Sequence, residues 1–343
     1  MKRFFALCML SLLVLSLMLA GCGDQNTGSQ SSEVSNEGQS DTTEKVFKIG
    51  ISQFVEHPAL DSAREGFIDG LKESGFEEGK NVIFELENAQ ADFPTTQTIA
   101  SKFVADEVDL ILAIATPSAQ SAANATKDIP IMITAVTDPV EAGLVKSQEK
   151  PDTNVTGTTD MNPIKDQLEL LKKILPSANN VGIIYNAAEP NSKVQVDIAK
   201  DVSDDIGLTI LEATVANSNE VNQAIQTLVG KVDALYVPTD NTVASAIGAV
   251  VKVCNDSKIP VIGAERGHVE GGALATLGID YYLLGKQTGN MAARVLQGEN
   301  PHNIPVEGSK DLKLIINMTS AKTLGINIPD ELKSKADEIL GTD

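Results

Sequence analysis

Among 343 residues the chain has no Trp, four Tyr, nine Phe, three Cys and three His, and only 27 basic against 47 acidic side chains. Each scarcity excludes something. Three cysteines cannot build a disulfide-dense scaffold, and three histidines restrict imidazole metal chemistry. A net charge of −20 repels phosphate backbones and argues against a nucleic-acid partner. Also missing are the G-x-S-x-G elbow, H-E-x-x-H, G-x-G-x-x-G and C-x-x-C, so no familiar motif sets a nucleophile beside a base or builds a dinucleotide loop. Apolar residues, by contrast, make up 42% of the chain, enough for sizeable cores, and the length suggests two compact units.

The N-terminus reads Lys2-Arg3, an apolar run from Phe4 to Leu19, then Leu19-Ala20-Gly21-Cys22. A basic head, a run of about 16 apolar residues and a small-residue site match a secretory signal, and the run is short for a membrane span. Leu-Ala-Gly-Cys resembles a bacterial lipobox, which implies cleavage before Cys22 and lipidation of its sulfur. Removing residues 1–21 leaves 25 basic and 47 acidic side chains and a net charge of −22. Residues 23–44 contain one large apolar side chain, Val34, and read as a flexible tether. Cys254 stands alone in an apolar helical pattern and is expected to be a small core residue.

From Val46 the pattern alternates. Strand-like runs at 46–52, 82–88, 109–115 and 131–136 are separated by helical spacing at 58–74, 94–106 and 117–127. A second set follows: strands at 180–186, 208–214, 233–238 and 260–264, helices at 190–205, 218–230 and 241–255. This predicts an α/β fold of two doubly wound parallel-sheet lobes. The halves resemble each other: Val108-Asp109 and Val232-Asp233 open matching strands, and Ile129-Pro130 and Ile259-Pro260 restart the next. The segment 272–298 reads as a strand, a short link and a long helix returning to the first lobe. Crossings are expected near 156–160, 278–282 and 300–306. The expected division is 1–21 signal, 22–45 tether, 46–157 with 281–301 as the first lobe, and 158–280 with 302–343 as the second.

In open parallel sheets ligands sit at the carboxyl ends of the strands. The candidates there are Gln53, Phe54, Thr116, Ser118, Thr137 and Asp138 in the first lobe. The second lobe offers Tyr185, Asn186, Glu189, Asn191, Thr239, Asp240, Asn241 and Glu265. Ser, Thr, Asp and Asn before helices are individually ordinary caps; collectively they suit a small zwitterion in a cleft. Thr116 and Ser118, beside Pro117 at a helix start, would take a carboxylate. Asp240 or Glu265 would take an ammonium, with Phe54 and Tyr185 touching the side chain, although Phe54 equally fits a core position. His57, His268 and His302 stand in Pro- or Gly-flanked polar loops, where surface or loop-structuring roles are expected.

The lipobox, IGISQFVEHPALDSAREGFIDGL, and the loops IATPSAQ, AVTDP, YNAAEPNS, PTDNTV and GALATLGIDYYLLG resemble bacterial ABC-importer substrate-binding lipoproteins of the tryptophan/tyrosine-binding group. The resemblance covers nearly the whole chain after the tether. It implies a type I periplasmic-binding-protein fold with a three-segment hinge, no catalysis, no cofactor and no metal. It further implies a monomer, lipid-anchored on the extracytoplasmic face, that hands an aromatic amino acid to ABC permease subunits. A receptor for another small solute, such as a nucleobase or sugar, and a surface adhesin or sensor using the same cleft are the alternatives.

Overall fold

The computed structural model describes residues 45–309 and 312–341. The signal sequence, Cys22 and the tether through residue 44 lie outside the described residues.

The first lobe opens with β1 (Phe47–Gln53), α1 (Pro58–Glu73), β2 (Val82–Asn88), α2 (Phe93–Ala105) and β3 (Leu110–Ile114). It continues with α3 (Thr116–Ala125), β4 (Ile131–Val136) and β5 (Val155–Thr159). The second contains α4 (Ile164–Ile174), β6 (Asn180–Asn186), α5 (Pro190–Ile206), β7 (Thr209–Val215), α6 (Val221–Gln226) and β8 (Ala234–Val237). After these come α7 (Asn241–Ala244), α8 (Ile247–Asp256), β9 (Val261–Gly263), α9 (Arg266–Glu270) and β10 (Ala275–Ile279). Last come α10 (Tyr281–Leu296), β11 (Glu307–Gly308), β12 (Leu312–Asn317), α11 (Met318–Leu324), α12 (Asp330–Lys335) and β13 (Glu338–Leu340).

These strands form two sheets, ordered β11-β5-β4-β3-β1-β2 and β13-β12-β10-β9-β8-β6-β7. All neighbours are parallel except β10 and β12. Parallel strands are covered on both faces, which is why β3 and β8 read as unbroken apolar runs, β4 is broken only by Thr134, and all three are buried throughout. One core fills the first lobe around Ile49, Phe67, Phe103 and Ile111; two others lie about the second sheet, around Leu168 and Tyr236, and around Leu235 and Val250.

The expected helix over 241–255 breaks at Ser245–Ala246, and that over 218–230 shortens to α6 behind a 3-10 turn. The chain passes between sheets after β5, after β10 and after β11. The first sheet extends beyond the boundaries read from sequence. It holds β5 through Thr159, and Glu307–Gly308 pairs with Thr158–Thr159. The short β11 has no apolar run to announce it.

Helix α10 returns to the first lobe and packs on α1 through glycines four residues apart on each helix: Gly66 and Gly70 against Gly285 and Gly289. Residues four apart share one helix face. A Cβ at any of the four would collide with backbone of the facing helix: Tyr282 and Lys286 for α1, Ala63 and Phe67 for α10. These glycines fix where Tyr281, at the start of α10, enters the space between lobes.

Candidate functional site

The loops at the carboxyl ends of the strands converge from both lobes on a buried interlobe cavity. The first lobe contributes His57, Ala59 and Leu60 from the start of α1, Ala135 and Thr137 from the end of β4, and Asp160 after β5. Asn191, Thr239, Asp240, Asn241, Ala244, Glu265 and His268 face them from the second, with Tyr281 at the crossing. No Lys or Arg lines it. Its internal volume is about 10 Å³, room for a water and far below the roughly 300 Å³ at the low end of ligand pockets. The lobes are therefore shut on one another. His57 Nε2 lies 3.3 Å from Asn241 Oδ1, and the hydroxyls of Thr137 and Thr239 are 3.5 Å apart.

Local backbone shapes one wall. Between Ile133 and Val136 the pairing of β4 with β5 shifts, and Ala135 adopts φ 55°. Opposite, Gly157 has φ 140° and lies against the Ile133 backbone, where a Cβ would collide. A left-handed alanine on a cavity wall is the kind of strain that a surrounding fold must hold in place.

Counting lone pairs separates the carboxylates into two kinds. Glu189 accepts from five donors: the Asn241 and Thr242 backbone N–H groups, the Asn191 and Asn241 side-chain amides and the Thr242 hydroxyl. Asp240 accepts from Val243 N at 2.8 Å, Asn186 N at 2.6 Å and Ser192 Oγ at 2.7 Å. Glu189 is saturated within its own lobe, and Asp240 spends three of its roughly four lone-pair sites there. Asp240 therefore caps α7 and braces the loop after β6, and keeps at most one site, on Oδ1, for the ammonium role expected of it. Burial first, and the Glu189 carboxylate next, push its pKa above the usual range.

Glu265 and Asp160 keep capacity. Glu265 Oε2 accepts from Gly267 N at 2.6 Å, while Oε1 has only His268 Nε2 at 3.3 Å, outside hydrogen-bond alignment. Asp160 accepts one bond per oxygen, from Thr137 Oγ1 at 2.9 Å and Tyr281 Oη at 2.6 Å. A carboxylate offers about four lone-pair sites. Burial raises the pKa of both carboxyls. With no Lys or Arg on the wall, their natural complement is a ligand cation.

Buried polar atoms without partners mark the same place. These are His57 Nδ1, Asn191 Oδ1 and both ring nitrogens of His268, all on residues lining the cavity; the unpaired hydroxyls of Ser52, Thr116, Ser118 and Thr276 lie off its wall. Leaving such atoms unpaired costs about 1–3 kcal/mol each. A larger cavity of about 560 Å³ lies on the first lobe beside α2 and α3, but no unpaired buried atom lines it. Chemistry, rather than size, selects the interlobe cavity.

Of the residues picked from sequence, Thr137, Asn191, Thr239, Asp240, Asn241 and Glu265 line this cavity. Thr116 and Ser118 are buried at the start of α3, off its wall. Asn186 braces Asp240 and Thr242 from behind. Asp138 caps Val140 and Glu141 and lines a separate crevice with Asn191. Gln53 is engaged with Asp61 and Arg64. Phe54 packs on Phe93 in the core, with ring centroids 5.2 Å apart. Tyr185 hydrogen-bonds Glu212 on β7, away from the cavity. The histidines differ most from expectation: His57 and His268 are buried on the cavity wall, while His302 is exposed. Asp160 and Tyr281 escaped sequence reading too, although both sit at expected crossings. Among the described residues no group of three or more His, Cys, Asp or Glu side chains could hold a metal ion. Among them, too, no helix is long and apolar enough to cross a membrane.

Residues 48–340 match the family model for ABC transporter substrate binding proteins. The chain belongs to this family. Its members serve ABC importers from the extracytoplasmic side, and its two α/β lobes have the type I periplasmic-binding-protein architecture. This substrate-binding protein is 50% identical over 338 residues to the tyrosine-binding protein of Clostridioides difficile strain R20291, covering 98% of this chain and 95% of the relative. It superposes with TM-score 0.84 on the ABC domain in complex with L-Trp from Streptococcus pneumoniae, at 40% identity, covering 86% of this chain and all of the other. Against the ligand-free, open structure of a Clostridium difficile substrate-binding protein with adhesive properties, identity rises to 52% while the TM-score falls to 0.67, over 87% of this chain and all of the other.

Proposed function

We propose that this substrate-binding protein captures an aromatic L-amino acid between its lobes and delivers it to the permease of an ABC importer, without catalysing a reaction. The free acceptors of Glu265 and Asp160, in a buried wall without Lys or Arg, carry this reading: they suit the ammonium of a zwitterion. Ala59, Leu60, Ala135 and Ala244 give apolar contact to the ring. The tyrosine-binding relative and the tryptophan complex support an aromatic side chain.

Admission of a ring requires the lobes to part about their three crossings. The better superposition on the tryptophan complex than on the more similar but open structure supports a shut state as the liganded geometry. Cys22 is lipidated, and the mature monomer hangs from the outer face of the membrane by the tether. Mass spectrometry of the membrane-extracted protein should find residue 22 N-terminal and diacylglyceryl-modified. Mass spectrometry of small molecules released from the purified, denatured protein should find Tyr, Trp or Phe. Recovery of a nucleobase or sugar instead would overturn the assignment.

A further inference from the structure

His57 carries an imidazole whose proton position is fixed by its neighbours. Asn241 donates its amide N–H to Glu189 Oε2 at 2.6 Å, and a carboxylate oxygen can only accept there. The Asn241 oxygen must therefore be the atom facing His57 Nε2, 3.3 Å away. An amide oxygen only accepts, so Nε2 carries the hydrogen. Nδ1 is left as a bare acceptor, buried and unpaired, on a residue that lines the cavity. His57 belongs to the first lobe and Asn241 to the second, so this tautomer is imposed only when the lobes are together.

We propose that His57 is a ligand-reading residue of this site: its Nδ1 accepts one N–H of the ligand ammonium while its Nε2–H latches the first lobe to Asn241 of the second. This rests on the proposed capture of an amino acid. His57 Nδ1, from α1's N-cap, then joins Glu265 Oε1 and Asp160 as an acceptor on one cavity wall, where Asn191 Oδ1 is unpaired too. An imidazolium could not serve, because a protonated Nδ1 would point a hydrogen and a positive charge at the ammonium. The groups facing His57 are Glu265 and His268 from α9 and its cap, Asp61 on its own helix, and Asn241 with Glu189 behind it. Asp160 and Tyr281 lie on the same wall. Arg64 is engaged with Asp61 and Gln53. Burial, the largest influence, holds the His57 pKa below its ordinary value in the shut protein.

Binding must then expel a proton from His57 whenever the open protein carries one there. Between about pH 7.5 and about pH 5 the ligand keeps its ammonium and carboxylate, so its own charge is constant. With an ordinary imidazole pKa near 6.5 in the open state, the Kd should rise about 30-fold over this interval. The test is calorimetric titration of the full-length protein, solubilised in detergent, with L-tyrosine and L-tryptophan at both pH values. The His57→Gln variant is titrated alongside, since Gln keeps a donor and an acceptor but does not titrate there. The expected result is the steep rise for the native protein and a change below about 3-fold for the variant, whatever its absolute affinity. A native Kd that is flat with pH, or an equal slope in the variant, overturns the role of His57 while leaving amino-acid capture intact. Absence of heat for every aromatic amino acid at both pH values overturns both.

Discussion

Replacing Asp240 by Asn should damage stability and spare affinity, the reverse of what a ligand-binding carboxylate would do. The Asp240 carboxylate accepts from three donors: two converge on Oδ2, from Asn186 N and Ser192 Oγ, and the third, Val243 N, caps α7 through Oδ1. An Asn can satisfy either the pair or the cap with its single oxygen. Its amide group then faces at least one N–H that it cannot accept. A lost buried partner costs about 1–3 kcal/mol, and a lost cap alone about 1 kcal/mol. Against this, Asn removes a charge that burial and Glu189 both oppose. A net loss of about 2 kcal/mol in unfolding free energy is expected, read by urea denaturation near neutral pH.

The pH dependence has a definite sign. A carboxyl whose folded pKa lies above its unfolded value binds protons more readily when folded. Its contribution therefore favours folding at low pH and declines as pH rises through the interval from about 4 upward. Asp240→Asn should remove that decline. Ligand affinity should change by less than about 3-fold, because Asp240 spends three of its roughly four lone-pair sites on its own lobe. A variant that unfolds like the native protein but no longer binds would refute the lone-pair argument and restore Asp240 to the ligand.

Three further outcomes follow from buried groups. Burial holds His268 near a pKa of about 3; a neutral folded His must lose stability as pH falls below its unfolded value near 6.5, so urea unfolding should show a loss of about 2 kcal/mol at pH 5, reduced in His268→Asn. Gly285→Ala gains helix propensity but drives a methyl into the Ala63 carbonyl of α1; overpacking of about 1–3 kcal/mol outweighs a gain of about 0.5–1 kcal/mol, and a lowered melting temperature is expected, with no change refuting the close approach. Cys254 is buried and its thiol is pushed up to about 12, so it should resist thiol reagents in native buffer and react at once in denaturant.

Alternation of apolar runs with helical spacing was legible because a parallel sheet covered on both faces needs it, from Ile49 in β1 to Ile262 in β9. The loops were legible because strand ends carry the caps. The direction of each side chain was not. Phe54 follows the last residue of β1, yet its ring turns under α2 onto Phe93; Tyr185, one residue before Asn186, reaches across its sheet to Glu212. Strand alternation sends neighbours to opposite faces, and only the tertiary packing says which face is which. Asp240 and Glu265 both read as acids before helices; only their hydrogen-bond partners separate the cap with both oxygens engaged from the acid with a free oxygen. His57 and His268 carried no spacing signal, since each is brought to the cavity by a separate loop.

The most direct test is calorimetric titration of the full-length protein with L-tyrosine and L-tryptophan, repeated on Glu265→Gln. One ligand per chain is expected for the native protein, with a 10- to 100-fold weaker Kd in the variant, about 1.5–3 kcal/mol for a lost charge-assisted bond. Undiminished binding by Glu265→Gln, or no binding of any amino acid by the native protein, would contradict an interlobe site built around that free carboxylate oxygen.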